Sequence, residues 1–84
     1  MKTIEELTEE DALKVLNLKF PDEEITYVME VRIIPKRQIS WSGANVGIVH
    51  RIDTDANLDT YLVPFDEVEK ELNEVGYTIG GYYD

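Results

Sequence analysis

The sequence contains no cysteine, so neither a disulfide nor a thiolate site can brace the chain or do chemistry in it. A single histidine, His50, excludes a multi-histidine metal centre and a histidine pair. Basic residues are scarce: 8 Lys and Arg stand against 18 Asp and Glu, a formal net charge of −10 in 84 residues. Affinity for a phosphate backbone comes from neutralising its charge with cations, so neither nucleic acid nor anionic lipid is expected as a direct partner. No apolar run approaches the roughly 20 residues of a membrane-spanning helix. The opening Met1 to Glu6 runs into acidic residues without the apolar core of a signal peptide. A soluble, cytoplasmic protein is therefore expected.

What is present suits one small domain, since no repeat, low-complexity tract or linker divides the chain. At 84 residues with 43% hydrophobic content, a modest core is within reach, although a domain this small buries only about 60 to 65% of its unfolded surface. The charge is segregated. Residues 1–24 carry 8 acidic and 3 basic groups, residues 25–51 carry 1 and 4, and residues 52–84 carry 9 and 1. Acidity thus lies in the two flanks around a basic middle.

The longest strand-like stretch is Glu24 to Pro35, where Ile25, Tyr27, Met29, Val31 and Ile33 alternate with Thr26, Val28, Glu30, Arg32 and Ile34. Strict alternation puts the first set on one face, expected to be the core face. Before it, Thr3 with Glu6 and Thr8 with Asp11 are spaced as helix N-caps and their third residues, so either threonine can start a helix. Ile4, Leu7, Ala12, Leu13, Leu16 and Phe20 supply its apolar stripe, and Pro21 ends it. Val46 to Asp53 and Leu58 to Phe65 read as two further strands joined by the turn Thr54-Asp55-Ala56-Asn57. Asp66 is the expected N-cap of a second helix over 67–75, with Val68, Leu72 and Val75 facing inward and Gly76 closing it. The tail from Tyr77 offers a possible edge strand, weakened by Gly80-Gly81.

The expected fold is α+β: a three- to four-stranded, mainly antiparallel meander with two helices on one face, in the order α-β-β-β-α. The double-stranded-RNA-binding domain has the same order of elements. The lysines that such a domain presents to phosphate at its second helix are here Glu67, Glu69, Glu71 and Glu74 around a lone Lys70. RNA binding is rejected on that ground and no family is assigned.

Three constellations could carry chemistry. Asp53, Asp55, Asn57 and Asp59 alternate like the first half of a calcium loop, but Leu58 and Pro64 occupy the places of its glycine and its bidentate glutamate, and a hairpin turn explains the same residues. No metal or cofactor is expected. His50 is in phase with Val46, Ile48 and Ile52, which reads as a packed sheet histidine; a general base would need a cleft and a carboxylate within hydrogen-bond reach. No nucleophile-elbow or phosphate-loop pattern is present, so an enzyme is not expected. Trp41, set among small residues beside Lys36 and Arg37, is either a lid on the core or an interface anchor.

The leading expectation is a non-catalytic protein-binding domain of the inhibitor, antitoxin, immunity or nucleic-acid-mimic kind, acting on a basic partner through Trp41, Arg37, Glu67, Glu71 and Glu74. The competing expectation is a self-associating structural or accessory subunit of a larger assembly, for example of a phage or mobile element, joined through the tyrosine-rich tail and the free edge of the 24–35 strand.

Overall fold

A computed structural model of the chain describes residues 1–33, 46–54 and 57–79, with backbone alone at 53–54 and 57–58. Among the described residues, five strands and two α-helices succeed one another as β1 (Lys2–Thr3), α1 (Glu9–Lys19), β2 (Ile25–Arg32), β3 (Gly47–Thr54), β4 (Asn57–Pro64), α2 (Glu69–Val75) and β5 (Tyr77–Thr78). Short 3-10 helices at Ile4–Glu6 and Phe65–Val68 precede the two α-helices. The expected α+β meander is present: β2, β3 and β4 form an antiparallel sheet in that order, and the helical elements pack on one side of it.

Both threonine signals at the N-terminus are used, one after the other. The Thr3 N–H donates to Glu6 Oε2 at 3.1 Å and opens the 3-10 turn. Thr8 Oγ1 then accepts from the Asp11 N–H at 3.2 Å and opens α1, satisfying one of the donors that a helix start leaves free. Asp66 has no such role. It lies inside the second 3-10 helix, whose start at Phe65 comes directly after Pro64, because Phe65 is pulled fully into the core and the chain must turn tightly to bring it there. Gly76 closes α2 in the left-handed conformation, at φ 100°, as its position predicts.

The β2 strand departs from strict alternation. Ile25 and Val28 are buried and Val31 is half-buried against the core, whereas Tyr27 is 57% and Met29 45% exposed. The cause is a pair of bulges: the register against β3 slips between Ile25 and Tyr27 and again between Val28 and Glu30. Each slip places two β2 residues opposite one β3 residue and reverses the facing of the residues beyond it, so the inward set becomes 25, 28 and 31. By contrast β3 and β4 pair without interruption from Gly47↔Pro64 to Thr54↔Asn57. Val46, Ile48 and His50 face the core with Val63.

The core joins both ends of the chain to the sheet: Ile4, Leu7, Ala12, Val15 and Leu16 from the first flank meet Ile25, Val28, Ile48 and Val63, with Phe65, Val68, Leu72, Tyr77 and Ile79 from the second. Each large side chain sealed there contributes roughly 1.5 to 3 kcal/mol before ordering costs. The anticipated edge strand takes another form. Tyr77–Thr78 leaves the main sheet alone and pairs in parallel with Lys2–Thr3, clasping the two ends of the described chain. Tyr77 is buried and its hydroxyl donates to Asp11 Oδ2 at 2.5 Å. That bond holds the Asp11 carboxyl below its ordinary range and the Tyr77 phenol above its own. At Gly47 a side chain is excluded, because a Cβ there would overlap the Val63 carbonyl of the neighbouring strand.

Candidate functional site

Two places in the molecule could do chemistry or bind. The first is the outer side of the helical layer. Glu5, Glu6, Glu9 and Glu10 are exposed on the first flank, and Asp66, Glu67, Glu69 and Glu74 are exposed on the second. The two helices touch each other, so these carboxylates share one layer. Among the described residues, the ion pairs are Lys14 with Asp11 at 3.6 Å and Arg32 with Glu30 at 3.1 Å. Neither neutralises a carboxylate of the second flank.

A broad, open depression of about 710 Å³ runs along α2, lined by Asp66, Glu69, Lys70, Asn73 and Glu74. Of the expected contact residues, Glu74 lines it and Glu67 is exposed nearby in the chain, while Glu71 is half-buried next to the sealed Leu72. The expected apolar stripe is kept, with Val68 and Leu72 buried and Val75 half-buried. On a helix with that stripe, position 71 borders it, so Glu71 is drawn to the edge of the core while Glu69 and Glu74 stay exposed. Trp41 and Arg37 lie outside the described residues.

The second place surrounds His50. The imidazole is only 2% exposed, stacks on the Tyr61 ring at 5.6 Å between centroids, and borders a cavity of about 240 Å³ with Phe20, Glu23, Ile52, Tyr61, Leu62 and Val63. The β3–β4 register places His50 opposite Tyr61, and the loop after α1 brings Phe20 and Glu23 alongside. Nδ1 of His50 is buried with no hydrogen-bond partner among the described residues. Burial lowers the affinity of His50 for a proton below the ordinary value, and the negative charge of Glu23 opposes that shift only in part.

Among the described residues no carboxylate is shown hydrogen-bonded to His50, the partner that usually orients an imidazole for proton abstraction. The cavity is also smaller than the roughly 300 to 1,000 Å³ common for small-molecule sites. Among the described residues no three His, Asp or Glu side chains gather closely enough to hold a metal ion. The side chains of Asp53, Asp55 and Asn57 lie outside the description. No helix among the described residues is long and apolar enough to cross a membrane. Compared with protein-family models, with curated proteins and with solved structures, the chain matches none.

Proposed function

We propose that this chain is a small, non-catalytic protein-binding domain of the cytoplasm, whose acidic helical layer docks a basic protein partner. The observation that carries the reading is the depression along α2, where Asp66, Glu69 and Glu74 surround the single cation Lys70 and no ion pair among the described residues neutralises them. Charge of one sign concentrated on one surface raises the local potential, speeds encounter with the opposite sign and rejects like-charged partners. Such a partner is an arginine- or lysine-rich face of a folded protein, and the family of uses open to this domain is inhibition or neutralisation by occlusion of that face. Nothing in the reading requires a bond to be made or broken.

Pull-down from native lysate, with wild type beside Asp66→Lys/Glu69→Lys/Glu74→Lys, tests it. The expected result is a basic protein retained by wild type, eluted by salt and lost with the charge-reversed variant. Recovery of the same proteins by both baits, or of none by either, sinks the reading.

A further inference from the structure

Among the described residues the three-stranded sheet has two unpaired edges, and they are not alike. On β2 the two bulges break the regular spacing of hydrogen-bonding groups, a common way of making an edge unfit for further pairing. The β4 edge has no such protection. Its register with β3 is unbroken over all of Asn57–Pro64, and between Leu58 and Val63 it carries neither proline, lysine nor arginine, with Asp59 as the lone charge. Among the described residues no strand pairs with its outer side.

The tight hairpin fixes which groups point outward. Thr54 pairs with Asn57 across a connection of only residues 55 and 56, which makes that pair a mutually hydrogen-bonded one. Bonded and unbonded pairs then alternate along the ladder, so residues 57, 59, 61 and 63 commit their backbone groups to β3. The N–H and C=O groups of Leu58, Thr60 and Leu62 face away from it.

We infer that β4 is a homodimerisation edge: it pairs antiparallel with β4 of a second copy of this chain about a two-fold axis at Thr60, making one continuous six-stranded sheet. In that register Thr60 meets Thr60 of the second copy and Leu58 meets Leu62, so each outward N–H of Leu58, Thr60 and Leu62 finds a carbonyl. Shifting the axis to Tyr61 would bring Leu58 opposite Pro64, which has no N–H to give, and leaves the pairing incomplete. The Thr60 register also sets Asp59 directly beside Tyr61 of the other copy. The Tyr61 hydroxyl, which reaches its own Asp59 Oδ2 only at 3.5 Å, gains a carboxylate acceptor across the seam.

A two-fold axis normal to the sheet keeps both helical layers on one side. Two chains of net charge −10 therefore repel, and salt strengthens this association by screening that repulsion. Docking of a basic protein on the acidic layer responds to salt in the opposite direction, so the two ideas fail separately.

Sedimentation of the intact chain at about 100 μM, in roughly 0.05 and 0.5 M sodium chloride, is the test. Wild type is expected to dimerise more tightly at the higher salt. Thr60→Pro, which removes an N–H that β3 does not use, is expected to raise the dissociation constant by at least about tenfold, with an unchanged circular dichroism spectrum. Because the chain has no cysteine of its own, Thr60→Cys supplies a unique thiol, expected to form a disulfide-linked dimer on mild oxidation while Met29→Cys on the bulged strand does not. A strict monomer at both salt levels overturns the inference. So does a dimer indifferent to Thr60→Pro, and so does equal cross-linking from Met29→Cys. If Thr60→Pro does not fold, the contrast between the two cysteine variants decides.

Discussion

His50 is the residue whose environment departs furthest from its chemistry. It is a sealed imidazole whose Nδ1 has no partner among the described residues, and burial favours its neutral form. Its folded-state proton affinity is lowered, so the unfolded chain takes up a proton first as pH falls. The stability it permits is complete above the ordinary histidine value of 6.5 and is lost as pH drops from there through the folded-state midpoint, at no more than about 1.4 kcal/mol per pH unit. Wild type compared with His50→Phe, by urea denaturation from pH 7.5 down to 5, isolates this contribution because the carboxylates are common to both. The wild type should lose stability relative to the variant across that interval, and the His50 ring signals in proton NMR should titrate below 6.5. Parallel curves, or an ordinary midpoint, would show that the imidazole is not held as the structure places it. Tyr61 matters here as the stacked cover, since its ring is 46% exposed while it shields the residue beneath.

Among the elements, β2 separates what pattern alone can say from what packing decides. Straight alternation makes Met29 an inward residue and Val28 an outward one; the bulges reverse this, leaving Val28 4% and Met29 45% exposed. Val28→Lys should cost about 3 kcal/mol or more, by burying an ammonium group without a partner. Met29→Lys should change stability by about 0.5 kcal/mol or less, and denaturation midpoints of the two variants settle the facing. Equal effects, or the opposite ranking, would mean that the register slips are absent. The sequence shows that a strand runs from Ile25 because β-branched and aromatic residues crowd there, but a bulge leaves no mark in composition when neither extra residue is a glycine. The helices were legible for the opposite reason: Thr8, Pro21 and Gly76 are local signals, and each acts within a turn of where it stands. The pairing of Tyr77 with Asp11 and of β1 with β5 was hidden, since residues so far apart in sequence meet only through the packed core. The acidic layer was legible as charge, and the half-burial of Glu71 follows from the stripe Val68, Leu72 and Val75, which Glu71 borders.

At the scale of the whole molecule, charge among the described residues is layered. Carboxylates crowd the helical side, whereas Arg32 and Arg51 project from the opposite sheet face, where they are paired in the ladder with Gly47, Tyr27 and Thr60. Like charge gathered on one side works against folding, and a protein keeps such an arrangement at a cost in stability when the surface serves binding. The last turn of α2 makes the argument testable with little disturbance. It holds no basic residue, so Glu74 sits unfavourably against the negative end of the helix dipole and three residues from Glu71. Converting both to glutamine keeps size and helix propensity while removing that repulsion. Glu71→Gln/Glu74→Gln should therefore stabilise the domain by about 0.3 to 0.8 kcal/mol at low salt, and the gain should shrink as salt screens the charges. If the layer docks a basic partner, the same variant must retain less of whatever protein the wild type captures, so that stability rises as binding falls. A stability gain with capture unchanged would identify these carboxylates as an ordinary solvated surface, and the search for the partner would move to the other side of the sheet.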